Sequence, residues 1–197
     1  MKTITYLYDD YLTALKVMRE LESSGVTPHN IALVGSNADG RYKLNGTTVS
    51  DESNMAANGA AVGGVVGIGA GVLTALGALA IPGLGPLVAA GVLATTIVTT
   101  TGGVIAGSLI GGLIEYGISE PDAHVYAEGV RRGGTLISTR VSDEQTNAVD
   151  AIMRQHGGVH ADERRKTYTE GGWSTFDNEA PVYNPKEIER ERARVQL

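Results

Sequence analysis

The chain has 197 residues and a formal net charge of −6 at pH 7, which argues against a nucleic-acid-binding protein because phosphate contacts need a basic surface. It contains no cysteine, so disulfides, thiolate metal sites and cysteine nucleophiles are excluded. The opening residues MKTITYLYDD become acidic within ten positions and include no apolar signal-peptide core, so we expect a cytoplasmic protein.

Charge divides the chain into segments. Residues 53–114 form a run of 62 positions without Asp, Glu, Lys, Arg or His, whereas both flanks are charged. Sixteen of the 27 glycines lie between Gly59 and Gly117. We therefore predict four parts: the first half of an α+β domain in 1–52, an uncharged helical hairpin in 53–118, the second half of the domain in 119–165, and a tail with a short charged helix in 166–197.

The first segment predicts a strand, a helix and a second strand. KTITYLY alternates β-forming and polar residues, as half-buried strands do. A helix is predicted through DDYLTALKVMRELESSG, with Asp9 or Asp10 as its N-cap and Gly25 at its end. The apolar run NIALVGS predicts the second strand.

The middle segment predicts two helical arms around IPGLGPL. Pro82 and Pro86 break a regular helix, and Gly83 and Gly85 permit the chain to reverse. Each arm of about 25 to 30 residues would be about 38 to 45 Å long as a helix, enough to cross about 30 Å of hydrocarbon.

Glycines recur at helical spacing in both arms. One row consists of Gly59, Gly63, Gly67 and Gly71, and the second arm places Gly91, Gly103, Gly107 and Gly111 in a single frame of four. Glycine inside a helix costs about 0.8 to 1 kcal/mol relative to alanine. We expect close packing of one helix on another, as in a glycine zipper, to offset that cost.

Three environments for such a hairpin differ in what covers its outer faces. A monomeric soluble domain would leave far more apolar surface exposed than monomers normally do. A bilayer suits the length and the absence of charge, although the arms are rich in Gly, Ala and Thr. A soluble assembly would bury the hairpins against one another. For VLATTIVTTT a β-rich alternative remains open, because Val, Ile and Thr favour strands.

The third segment repeats the pattern of the first. EPDAHVYAEGVRRGG predicts a helix, TLISTRVS a strand, DEQTNAVDAIMRQHGG a helix, and VHADER a final strand. Without the middle segment the order is βαβ, a linking helix and βαβ. This order predicts an α+β fold with an antiparallel, ferredoxin-like split βαβ sheet and helices on one face.

No motif predicts catalysis, a cofactor or a metal. The histidines His29, His124, His156 and His160 are scattered among loops and helix ends. The acidic pairs Asp9-Asp10 and Asp143-Glu144 stand where helices begin, so we interpret them as caps. We therefore predict a protein that is not an enzyme.

The tail contains the only Trp and the only Phe of the chain. Trp173 and Phe176 lie three apart, and Tyr183 follows. They predict an anchor on the sheet or on a neighbouring subunit, while the alternative is a disordered tail with incidental aromatics. PKEIERERARVQL predicts a helix whose interleaved charges face solvent.

Residues 1–165 resemble a bacterial protein family. ALGALAIPGLGPLVAAG and YAEGVRRGGTLISTRVSDEQTNAVDAIMRQHGGV are similar to segments of general-stress or low-temperature-induced proteins, the YflT-like group. The resemblance implies a stress-related setting and supplies no catalytic residues. We expect a self-associating protein that inserts its hairpin into the cytoplasmic face of the inner membrane, with lipid as a further partner. The alternative is a soluble homo-oligomer in the cytoplasm.

Overall fold

A computed structural model of the protein describes residues 1–38, 43–44, 47–48, 77–81, 84–91, 93 and 108–195. These residues form seven strands, six α-helices and a 3-10 turn at Pro28–Asn30. The elements are β1 (Lys2–Tyr8), α1 (Tyr11–Ser23), β2 (Ile31–Ser36), β3 (Lys43–Leu44), β4 (Thr47–Thr48), β5 (Gly77–Ile81), β6 (Gly85–Ala90), α2 (Ser108–Glu115), α3 (Glu120–Arg131), β7 (Thr135–Val141), α4 (Thr146–Gln155), α5 (Ala161–Glu170) and α6 (Pro185–Val195).

Five strands form one antiparallel sheet in the order β1-β7-β2-β6-β5, and β3 pairs with β4 in a separate ladder. Because β7 is antiparallel to both of its neighbours, β1 and β2 run parallel to each other with β7 between them. The prediction of an α+β protein with an antiparallel sheet is confirmed. Asp10 caps α1 by accepting a hydrogen bond from the Thr13 backbone N–H at 2.9 Å.

Helices cover both faces of the sheet, so the prediction of helices on one face is wrong. On β2, Ile31 and Leu33 pack with α1 and α4, whereas Ala32 and Val34 pack with α2, α3 and α5. All four side chains are fully buried. A strand with apolar residues on both sides needs a cover on both sides, because side chains alternate between the faces of a sheet.

The predicted helical arms are wrong on either side of the proline-rich turn, where the chain forms a β-hairpin. Gly77–Ile81 pairs antiparallel with Gly85–Ala90, which in turn pairs with β2. Gly85 and Pro86 open β6, with Gly85 at φ +74°, while Pro82 and Gly83 lie outside the described residues. Part of the uncharged segment is therefore a component of the sheet.

Two glycines of the second predicted row lie among the described residues, and their environments differ. Gly91 follows β6 at φ +76°, and a Cβ atom there would overlap the carbonyl oxygen of Ile31. Gly111 is an exposed residue of α2, and no described atom lies within 4 Å of where its Cβ would stand. Gly91 is not part of a helix, so the helix-packing role predicted for it is wrong, whereas the role predicted for Gly111, which lies in α2, stays a prediction. Outside the described residues lie the other members of the rows, Gly59, Gly63, Gly67, Gly71, Gly103 and Gly107.

The last predicted strand is also wrong, because VHADER forms one bridge and then a helix. Val159 and Leu7 exchange backbone hydrogen bonds of 2.9 and 3.0 Å, and α5 begins two residues later at Ala161. Across the described parts of the chain, each helix is too short or too polar to cross a membrane.

Candidate functional site

The tail folds back onto the α3 side of the sheet. Phe176 is 7% exposed and belongs to the core that α2, α3 and α5 share, and Trp173 packs against that core. The rings of Trp173 and Tyr168 meet edge to face with centroids 5.8 Å apart. The tail therefore closes over this layer of the domain.

The third aromatic residue of the tail meets two arginines. The Tyr183 ring centroid lies 5.4 Å from the guanidinium carbon of Arg131 and 5.8 Å from that of Arg132. Both arginines stand at the end of α3, next to Gly133. These contacts place the tail aromatics on the domain of the same chain.

Ile188 fixes α6 to the turn that follows α3. Its side chain is fully buried, and a Cβ atom on Gly133, which has φ +94°, would overlap the Cγ2 atom of Ile188. Gly133 thus serves both the turn, which needs a left-handed residue after the helix, and the close approach of α6.

Replacing Ile188 with alanine is expected to lower the free energy of unfolding by about 2 to 4 kcal/mol, because it empties a fully buried site. The matched control is Leu12→Ala, since Leu12 is 63% exposed on α1 and its loss should change stability by less than about 0.5 kcal/mol. Urea unfolding of both variants measures the difference. Equal losses would show that α6 is not packed on the domain.

A cluster of buried charges lies beneath the tail at the end of α3. The fully buried Glu128 carboxylate accepts hydrogen bonds from Arg131 Nε at 2.9 Å and Nη2 at 2.7 Å. It also accepts one from Arg132 Nε at 2.6 Å. Such bidentate, charge-assisted pairs hold both partners in one geometry.

Arg132 connects this cluster to the tail and to α5. Its Nη1 atom donates to the Glu191 carboxylate of α6 at 2.8 Å, and its guanidinium carbon lies 4.2 Å from the Tyr168 ring centroid. Burial by itself lowers the pKa of the Arg132 guanidinium, but the Glu128 and Glu191 carboxylates raise that pKa above its ordinary value. Arg132 is therefore a permanent cation held between two carboxylates.

A second pair brings the end of β1 to the same place. Arg164 of α5 is 2% exposed and donates from Nη2 to the Asp9 carboxylate at 2.9 Å. Arg192 of α6 donates to the Asp9 carbonyl oxygen at 3.0 Å and to the Gly133 carbonyl oxygen at 3.1 Å. Asp9, interpreted from sequence as a helix cap, is thus an ion-pair partner.

These side chains enclose a small cavity of about 10 Å³, which we call the arginine cavity. That volume is close to what one water molecule occupies. Its walls combine three guanidinium groups with two carboxylates, one ring and two glycines, and its lining residues are Asp9, Gly129, Arg132, Gly134, Arg164, Tyr168, Glu191 and Arg192.

Sequence reasoning missed this cavity because its ion pairs join distant parts of the chain. Asp9 and Arg164 are 155 residues apart, and Arg132 and Glu191 are 59 apart. The one local sign of this cavity in the sequence is the pair of consecutive arginines, Arg131 and Arg132, in RRGG. The charged face of α6, predicted to be solvated, instead directs Glu191 and Arg192 toward the domain.

The histidines lie apart from the arginine cavity. His156 forms a 2.6 Å contact between its Nε2 atom and the Glu20 carboxylate, and the His160 ring lies 4.0 Å from the ring of Tyr6, centroid to centroid. Tyr6 donates to Asp150 at 2.6 Å. Within the described ranges, three or more His, Asp or Glu side chains nowhere converge to hold a metal ion.

Burial raises the pKa of several tyrosine phenols. It raises the pKa of Tyr11 to about 12. Tyr168, beside the arginine cavity, has a raised pKa mainly because of burial, which the nearby Arg164 and Arg132 partly oppose. These phenols stay protonated near neutral pH, so they are hydrogen-bond and packing groups and not bases.

Comparisons with known proteins return no relative for this chain. No protein-family model matches it, no curated protein matches it, and no solved structure matches it.

Proposed function

We propose that this protein is a non-enzymatic, self-associating protein whose α+β domain presents its uncharged glycine-rich stretches to other copies of the chain. The proposal is supported by where the sheet holds the ends of those stretches. Residues 49–76 lead into β5 at Gly77, and Gly77 pairs directly with Ala89 near the end of β6. Both glycine-rich stretches therefore join the domain at one corner.

Both predicted glycine rows are close in sequence to this corner. The first row, from Gly59 to Gly71, precedes β5, and Gly103 and Gly107 lie between Leu93 and α2. Leu93 and Leu109 belong to the same buried core. A small-residue contact between the rows, within one chain or between copies, needs this proximity.

The lengths favour an assembly of copies over a hairpin that spans the bilayer. Residues 94–107 would be about 21 Å long as a helix, shorter than the roughly 30 Å of hydrocarbon. Leu93 and Leu109, which flank these residues, are buried in the domain. Residues of α2 therefore cannot extend the second arm across the bilayer. Copies that bury their glycine-rich stretches against one another form the assembly that we propose.

The edge of the sheet adds a second surface for association. Among the described strands, β5 stands at the edge of the sheet, beyond β6, and its sequence GALAI contains no charge and no proline. Natural edge strands usually carry charges or proline that oppose pairing with another chain. The resemblance of AIPGLGP and RRGGTL to the YflT-like group supports a bacterial stress setting for this assembly.

The native mass with and without detergent tests the proposal. We expect the detergent-free protein to elute as a discrete species several times heavier than the 20.5 kDa chain. A monomer without detergent would contradict self-association. Recovery only in the membrane fraction, with lipid retained on purification, would instead favour insertion into the bilayer.

A variant separates packing by the glycine row from mere hydrophobicity. Changing Gly63 and Gly67 to leucine blocks close approach while increasing apolar surface, so we expect the assembly to dissociate or change size. Ala61→Leu with Val65→Leu is the matched control, because these positions lie about half a turn away on a helix. An unchanged particle in the glycine variant would contradict the packing role.

A further inference from the structure

We propose that two copies of the chain pair β5 with β5 in antiparallel orientation, so that their five-stranded sheets become continuous across a two-fold axis at Leu79. This inference rests on the self-association proposed above. It adds the surface through which a second copy binds and the register of that contact.

The backbone groups on the outer side of β5 can be assigned from its ladder with β6. Ala80 lies opposite Pro86, and the carbonyl oxygen of Pro86 accepts a hydrogen bond of 2.8 Å from the backbone N–H of Asn37, beyond the end of β2. Pro86 therefore directs its backbone groups toward β2 and away from β5. In an antiparallel ladder such a pair alternates with hydrogen-bonded pairs. Ala80, and Ala78 two positions before it, thus direct their N–H and C=O groups away from the sheet.

The strand has none of the features that usually oppose pairing with another chain. Its five residue pairs, from Gly77–Ala89 to Ile81–Gly85, follow one another without a bulge. Among the strands that the structure describes, its one neighbour is β6. It also lies within the uncharged run 53–114. Two copies that meet here therefore bring no like charges together, although each chain carries a net charge of −6.

The opposite edge of the sheet is closed by contacts within the chain. At β1, Leu7 exchanges backbone hydrogen bonds with Val159. The Thr5 carbonyl oxygen, which points to the same edge as the backbone groups of Leu7, accepts a hydrogen bond of 2.9 Å from the Tyr126 hydroxyl. Lys2 places a charge at the start of this strand. A second copy therefore finds its strand partner at β5 and not at β1.

Two-fold symmetry and the positions of Ala78 and Ala80 select one register. When Leu79 lies opposite Leu79 of the second copy, Ala78 of each copy faces Ala80 of the other. Both pairs then exchange N–H···O=C bonds, and all the outward groups of the strand are used. A register centred on Ala80 would place Ala78 opposite Pro82, which has no N–H to donate.

The contact between two such short strands is small, and association must offset the loss of translational and rotational freedom. The strand pairing therefore acts together with the glycine-rich stretches, one of which leads directly into β5 at Gly77.

Oxidation of single-cysteine variants of the full-length protein tests the register, because the chain has no cysteine of its own. Residues that face each other in a pair without hydrogen bonds have Cα atoms about 4.5 Å apart, within the range of about 4.4 to 6.8 Å that disulfides need. Leu79→Cys should therefore form a covalent dimer with a mild oxidant, detected by non-reducing gel electrophoresis. Ala78→Cys is the matched control, because its two copies lie diagonally across the axis, about 7 to 8 Å apart.

We expect most of the Leu79→Cys protein to become a covalent dimer, while Ala78→Cys stays largely monomeric on the gel. A mixture of Ala78→Cys and Ala80→Cys should cross-link far more than either variant alone, and it decides the matter if Leu79→Cys does not fold. Equal cross-linking of Leu79→Cys and Ala78→Cys, or none in Leu79→Cys, would overturn the β5 pairing.

The native mass of the unoxidised protein separates this failure from failure of the proposed function. A particle of several chains without the expected cross-links would overturn the β5 contact alone. A monomer would overturn self-association and the β5 contact with it.

Discussion

Replacing Gly91 with alanine is expected to destabilise the protein by about 3 to 5 kcal/mol or to prevent folding. The residue has φ +76°, where an L side chain costs about 1 to 3 kcal/mol. The added Cβ would also overlap the Ile31 carbonyl oxygen, which is backbone of β2 and cannot rotate away. The collision separates β6 from β2, so the effect should exceed that of strain alone.

Gly111→Ala is the matched control, since both glycines belong to the same predicted row. In α2 the added methyl meets no described atom within 4 Å, and alanine is a better helix former by about 0.8 to 1 kcal/mol. Urea unfolding should therefore show no loss, or a small gain, for Gly111→Ala. A larger loss for Gly111→Ala than for Gly91→Ala would contradict the position of Gly91 beside the Ile31 carbonyl oxygen, and it would indicate that Gly111 packs against another helix.

This contrast shows what the sequence could and could not predict in the uncharged segment. On β6, Leu87 and Ala89 face one core while Val88 and Ala90 face the other. A strand buried on both faces loses its alternation of polar and apolar residues. Its sequence then resembles that of a buried helix, and glycine spacing alone cannot distinguish the two.

Amphipathic and capped elements were more predictable. The helix from Tyr11 to Ser23 was predicted from its apolar spacing, its aspartate cap and Gly25, because all three signals are local. β7 was predicted from TLISTRVS. The layering of the fold could not be predicted, since it depends on which strands neighbour each other. The residues that pair β7 with β1 and β2 are at least 100 positions apart in the chain.

The arginine cavity was unpredictable for a related physical reason. Charged residues are usually exposed, so charges on a helix were expected to face solvent. Burial of Arg164 and Glu128 becomes favourable only when partners from other elements surround them, and those partners are known only once the chain has folded. The tail aromatics were detectable because Trp173 and Phe176 are rare residues in this chain.

The change Glu128→Gln is expected to lower the free energy of unfolding by about 3 to 5 kcal/mol. The glutamine keeps the size of the side chain but removes the negative charge that Arg131 and Arg132 share. Arg131 is 8% exposed and cannot become neutral, so its charge would stay buried without compensation, which is the costly way to break a buried pair. Urea unfolding followed by circular dichroism measures the loss.

Two further variants show whether the loss comes from an uncompensated charge. Asp162→Asn removes a carboxylate that is 83% exposed and pairs with Arg165, and it should cost no more than about 0.5 kcal/mol because exposed pairs contribute little. Replacing Glu128 and Arg131 together with methionine removes both charges and keeps the volume, so it should be less destabilising than Glu128→Gln alone. If the double variant were the less stable of the two, the Glu128–Arg131 pair would itself be stabilising, and uncompensated buried charge would not be the cause of the loss.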